Sequence, residues 1–128
     1  MLIERLDHLV LTVKDIARTT EFYQRVLGFK VEVFQQNRTA LTFGRQKINL
    51  HLAGREFEPK AAVPEPGSAD LCFITGTPIS QVVDELLALQ VPVIEGPVQR
   101  TGATSKLLSV YIRDPDGNLL EIANLLRD

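Results

Sequence analysis

Apolar and polar positions along this chain follow two different periods, and the periods alternate. From residue 6 to 13 branched apolar residues alternate with others, which predicts a strand. From 15 to 27 the spacing becomes helical, with Ile16, Thr19, Thr20, Tyr23, Val26 and Leu27 on one face. Asp15 is placed to cap that helix, and Gly28 to terminate it. Three short strands follow, at 29–34, 39–43 and 47–52, with Asn37 and Gly44 as turn residues. Residues 54–68 lose both periods. They hold Pro59, Pro64, Pro66 and Gly67 and predict a connecting loop.

The pattern then starts again. A strand is predicted at 70–75, and a helix at 79–89 with Ile79, Val82, Val83, Leu86 and Leu87 on one face. Strands are predicted at 91–94, 107–112 and 119–125, with 95–105 as a loop containing Gly and Pro. The order β-α-β-β-β is thus written twice. The expected fold class is α+β, with two βαβββ modules in one domain spanning 1–128. The first module runs from about 4 to 53, the linker from about 54 to 68, and the second module from about 69 to 126. A helix covers one face of each sheet, and two concave faces left over can enclose a cavity.

Composition narrows the function. At 128 residues the chain matches one domain with a real core. A net charge of −2 gives no footprint for nucleic acid or an anionic membrane. No apolar run is long enough to span a bilayer, and the N-terminus lacks a signal-peptide layout. The single cysteine, Cys72, forms no internal disulfide, which fits a cytoplasmic location. Within Leu71-Cys72-Phe73-Ile74 it reads as a small core hydrophobe.

Candidate chemistry comes from the only two histidines and one carboxylate. His8, His51 and Glu121 each sit in an apolar strand-like run, and all three are ligand types for divalent metals. Alternation puts His51 with Lys47 and Asn49, opposite Ile48, Leu50 and Leu52. Glu121 lies with Leu119 and Ala123 and needs a partner, a metal or else Arg113 or Arg100. Asp70 occupies the place in the second module that His8 occupies in the first, which makes it a candidate fourth ligand or a holder of bound water.

Leu6-Asp7-His8-Leu9-Val10-Leu11-Thr12-Val13, Phe22-Tyr23, Leu27-Gly28-Phe29 and Asp114-Pro115-Asp116-Gly117-Asn118 with Leu120-Glu121 resemble the glyoxalase I / vicinal oxygen chelate superfamily. Lys47-Ile48-Asn49-Leu50-His51, Glu56-Phe57-Glu58-Pro59-Lys60-Ala61 and Gly96-Pro97-Val98-Gln99-Arg100-Thr101-Gly102-Ala103 resemble more narrowly the glyoxalase domain-containing protein 5 group, which includes virulence-associated bacterial members. The resemblance implies a glyoxalase/bleomycin-resistance/dioxygenase-type cleft, a homodimer and one divalent metal (Zn, Ni, Mn or Fe). It carries the ligand places over to His8, His51, Asp70 and Glu121. Glyoxalase I proper tends to have glutamate near 51 and histidine near 70, so the set here departs from it.

Such a site would act as a Lewis acid on a small substrate with vicinal oxygens, as in a lyase or isomerase. Glu121 is the first choice of base and Asp70 the second. Tyr111 matches a phosphonate-contacting tyrosine of the fosfomycin-resistance branch. Arg100, Thr101 and Lys106, and more weakly Lys60, are candidates for holding an anionic substrate group. The alternatives are a non-haem iron dioxygenase, a thiol transferase of fosfomycin-resistance type and a non-catalytic small-molecule binder.

Overall fold

A computed structural model describes residues 1–127 of the chain. They form two compact units, Met1–Gly67 and a second that begins at Ser68. In the first unit the order is β1 (His8–Val13), α1 (Ile16–Leu27), β2 (Lys30–Phe34), β3 (Arg38–Phe43) and β4 (Gln46–Leu52). In the second it is β5 (Asp70–Ile74), α2 (Ile79–Ala88), β6 (Glu95–Thr101), β7 (Lys106–Arg113) and β8 (Leu119–Leu125). The sheets run β1-β4-β3-β2 and β5-β8-β7-β6, so the two units share one topology. The first strand of each lies parallel to the last, and the remaining pairs are antiparallel. The twice-written βαβββ order is therefore present, with one revision.

That revision concerns 91–105. Residues 91–94 form no strand, and β6 begins at Glu95, inside the expected loop. Gly and Pro usually end a strand. Here Gly96-Pro97 makes a bulge in an edge strand, where a proline costs no ladder bond. Glu95 still pairs with Tyr111, but Val98, not residue 97, pairs with Ser109. Gly96 has φ of 102°, and a Cβ there would run into the Ser109 carbonyl oxygen. Only glycine fits that position.

The helix caps are local. Asp15 accepts the Arg18 N–H at 2.9 Å. Gly28, at φ 71°, ends α1; its N–H donates to the Gln24 carbonyl at 3.1 Å, and Phe29 N–H donates to that of Tyr23 at 3.0 Å. Helix α2 has no such residue of its own. Asn124 of β8 serves instead, accepting the Ile79 N–H at 2.8 Å while its amide donates to Thr75 and Thr77 carbonyls. The cap fixes α2 to the same face of the sheet as Leu120 and Ile122.

Each core lies between helix and sheet. In the first unit Leu11, Val13, Leu41, Ile48 and Leu50 meet Phe22 and Tyr23, all buried. Phe29 and Phe43 stack beside them at 4.3 Å between ring centroids. In the second, Val110, Ile112, Leu120 and Ile122 are buried alongside Ile79, Val82 and Leu86 of α2. Each such side chain contributes about 1.5–3 kcal/mol through burial.

A buried polar knot fixes the start of β8. Asp114 accepts the backbone N–H groups of Asp116 and Asn118, both at 2.9 Å. The Asn118 amide donates to Asp114 at 2.8 Å, and its oxygen accepts the Ala69 N–H at 2.9 Å. This ties the turn to the residue before β5 and sets the register that opposes Asp70 to Leu119 and Cys72 to Glu121. Asn118→Ala removes the hydrogen bond to the buried Asp114 carboxylate and the one from the Ala69 N–H. It is expected to lower stability by about 2–4 kcal/mol, read as a drop in the urea midpoint at unchanged m-value.

Candidate functional site

In each unit the helix takes one face of the sheet, and alternation sends every second side chain to the other. In the second unit that other face carries Asp70 and Cys72 of β5, Glu121 of β8, and Ser109, Tyr111 and Arg113 of β7. Asp70, Glu95, Tyr111, Arg113 and Glu121, with Ile94 and Leu119, line an open depression of about 470 Å³. Asp70 and Glu121 are diagonal neighbours, since Asp70 pairs with Leu119 and Glu121 with Cys72.

Among protein groups Glu121 is held by a hydroxyl, and neither of the two candidate arginines pairs with it. The fully buried Ser109 donates to Glu121 Oε2 at 2.6 Å. Arg113 donates to the Gly117 carbonyl at 3.3 Å, and Arg100 is engaged with the Tyr111 hydroxyl at 3.0 Å and Glu95 at 3.1 Å. Burial raises the Tyr111 pKa, against the pull of Arg100. Tyr111 and Arg100 thus hold each other. Thr101 and Lys106 pair with each other at the far end of the β6–β7 ladder, five residues from Tyr111 along β7, outside the depression. Lys60 binds Glu56 at 3.5 Å and Glu58 at 3.4 Å.

Cys72 corrects a second expectation. It is exposed, not part of the core, because Leu71 and Phe73 take the helix-facing positions of β5. The thiol stands opposite Glu121 and hydrogen-bonds to it. Burial of the sulfur, then the Glu121 charge, push its pKa up to about 11. Apolar neighbours concealed this in sequence; strand parity with Asp70 was the available signal.

In the first unit the open face carries His8, Val10 and Thr12 of β1, opposite Lys47, Asn49 and His51 of β4. His8 pairs with Lys47 and His51 with Thr12, so the histidines are four register steps apart. At about 3.3 Å per residue that is roughly 13 Å, whereas two nitrogens on one zinc lie within about 4 Å. The first unit does not bring them together. The two units also disagree on which residue answers Glu121. Asp70 and Glu121 sit at the first and third steps of the β5–β8 ladder; the same steps of β1–β4 hold His8 and Asn49. Asn49 is the counterpart of Glu121, and His51 that of Ala123.

The histidines differ in setting. His8 is exposed, and its Nδ1 bonds Asp7 at 2.9 Å. A carboxylate on Nδ1 leaves Nε2 for a metal, the usual outer support of a ligating imidazole. His51 is buried, with the Phe57 ring edge-on at 5.7 Å. Its pKa lies below the usual 6.5 because of burial and then the Arg38 charge. Phe57 comes from the linker and also lies 4.2 Å beneath the Arg38 guanidinium. Within neither unit, among the described residues, do three His, Cys, Asp or Glu side chains gather as a metal-binding group. Taken unit by unit, the donors that suit an ion are the oriented His8 in the first and the Asp70–Glu121 carboxylate pair in the second.

Two outcomes follow from the side-chain environments. A pKa near 11 leaves roughly 0.1% thiolate at pH 8. Cys72 should react with an aromatic disulfide at least about tenfold more slowly than free cysteine, and Glu121→Gln should speed it. His51 should titrate by NMR below 6.5. A histidine held neutral by the fold binds its proton more readily when unfolded, so its stabilising contribution is full above 6.5 and declines as pH falls from there to the folded pKa. In His51→Gln this slope should disappear.

The comparisons with known proteins agree with this architecture. Residues 5–122 match the model of the Glyoxalase/Bleomycin resistance protein/Dioxygenase superfamily. The chain is 63% identical over 123 residues to a virulence protein of Salmonella typhimurium, covering 96% of this chain and 85% of that one. The crystal structure of that protein superposes with a TM-score of 0.97, at 62% identity, over 98% of this chain and 100% of the other. A glyoxalase domain-containing protein of Mycosarcoma maydis is 52% identical over 122 residues, 95% of this chain and 69% of its own length. A biphenyl-2,3-diol 1,2-dioxygenase of Rhodococcus globerulus is 32% identical over 124 residues, 92% of this chain and 62% of the dioxygenase. With two βαβββ units and a family match over nearly its whole length, the chain belongs to the glyoxalase/bleomycin resistance/dioxygenase superfamily.

Proposed function

We propose that this protein is a metal-dependent enzyme of the glyoxalase type, a lyase or isomerase acting on a small substrate with vicinal oxygens. It works as a cytoplasmic homodimer. The observation that supports this most is Glu121, a carboxylate locked by Ser109 at 2.6 Å on the wall of a depression that also holds Asp70. A carboxylate oriented by a buried hydroxyl suits both metal ligation and proton transfer.

Glu121 and Asp70 are the oxygen donors in this reading. His8, oriented by Asp7, is the first unit's nitrogen ligand in this reading, in preference to the buried and aromatic-packed His51. A bound divalent ion supplies Lewis acidity toward the substrate oxygens. The Glu121 carboxylate takes a proton from the substrate carbon and returns it, while the Ser109 hydroxyl keeps the carboxylate from swinging away. Tyr111 lines the same depression, its hydroxyl accepting from Arg100 at 3.0 Å.

Protein purified without chelator or metal-binding tag should hold close to one equivalent of a divalent metal by elemental analysis. His8→Ala and Glu121→Gln should each lose it by about tenfold or more in affinity, while His51→Gln retains it. The loaded protein is then given the hemithioacetal of methylglyoxal and glutathione, and separately catechols with oxygen uptake recorded. No metal uptake in the wild type sinks the reading. Uptake with oxygen consumption and no isomerase turnover moves it to the dioxygenase branch.

A further inference from the structure

Met1, Leu2, Ile3 and Leu6 lie outside every strand and helix, and exposures of 112, 94, 78 and 61% leave them bare to solvent. Among the described residues the backbone of 1–6 makes no hydrogen bond. Single exposed apolar residues are ordinary, but four within six positions form a patch of the kind that marks an interaction site. Arg5 pairs with Asp7 at 3.7 Å, whereas Glu4 forms no ion pair among the described residues.

The second unit carries a surface of matching character. Where β5 and β8 end, Ile74, Pro78 and Leu125 line an open groove of about 490 Å³, with Arg127 on its wall. Ile74 is itself exposed. A groove of this volume buries a ligand of drug dimensions, and so a few aliphatic side chains. Arg127 is the one charged residue on its lining and forms no ion pair among the described residues. The arm thus offers apolar side chains and an unmatched carboxylate, and the groove offers apolar walls and an unmatched guanidinium.

We propose that the arm Met1–Leu6 of one copy docks in this groove of a second copy, with Leu2 and Ile3 against Ile74 and Leu125 and Glu4 paired with Arg127. A two-fold axis makes the contact twice and closes the assembly at two chains. A buried aliphatic side chain removes on the order of 60–120 Å² from water. Four on each of two arms, with the groove walls they cover, come to roughly 1,000–2,000 Å², against the about 1,200–2,000 Å² of a stable interface. The inference rests on the homodimer proposed above and supplies its contact; metal binding and turnover do not enter it.

The test is analytical ultracentrifugation of the full chain across a concentration series, reading the dimer Kd. The double variant Leu2→Asp with Ile3→Asp should weaken dimerisation about a thousandfold or more. Glu4→Arg and Arg127→Glu should each weaken it about tenfold or more, since either change sets like charges together in both contacts. An equimolar mixture of those two single variants should recover the wild-type Kd within about threefold, because in the mixed dimer each arm meets a groove of opposite charge. All four substituted positions are exposed, so the fold of the chain is not at stake. A wild-type dimer that none of these changes weakens overturns the contact and leaves the homodimer standing. So does a mixture that fails to recover, the outcome expected if an arm fills the groove of its own chain. A wild type that stays monomeric overturns the contact and the homodimer together.

Discussion

A β-strand turns successive side chains to opposite faces, and in both units a helix covers just one of those faces. The covered faces take Leu, Ile, Val and Phe, and the other faces take nearly all the chemistry. Asp70, Cys72, Ser109, Tyr111 and Glu121 share one parity in the second sheet, and His8, Lys47, Asn49 and His51 share one in the first. A slip of one register step would exchange the two sets. The ladders are therefore what the site depends on, and the Asp114–Asn118 knot that fixes β8 against β5 matters as much as any residue in the depression.

The two units use one topology for unlike chemistry. The second concentrates carboxylates around a buried serine and a thiol. The first presents cations stacked on aromatic rings beside a buried, neutral histidine. Where the second places Glu121, the first places Asn49, an amide that carries no charge and has an unmet oxygen. The repeat is of backbone, and the side chains on it have separate tasks.

Local signals in the chain proved legible where physics is local. Alternation, helical spacing, the Asp15 cap and the Gly28 terminator all depend on neighbours within about one helical turn, and the structure contains each. Gly96-Pro97 misled for a reason that is not local: whether such a pair ends a strand or bulges it depends on lying at a sheet edge beside the Ser109 carbonyl. Cys72 misled because apolar neighbours suit a strand with one buried face as well as one with two.

By itself the sequence determined which residues could carry chemistry and which strands would bear them, since residue type and period are properties of the chain. Only the tertiary structure decided who meets whom. It set His8 and His51 four steps apart, gave Glu121 a serine instead of an arginine, and brought Phe57 of the linker onto Arg38. The Ser109–Glu121 and Arg38–Phe57 contacts join residues 12 and 19 positions apart. Strand register and chain return create them, and no pattern of nearest neighbours encodes that register.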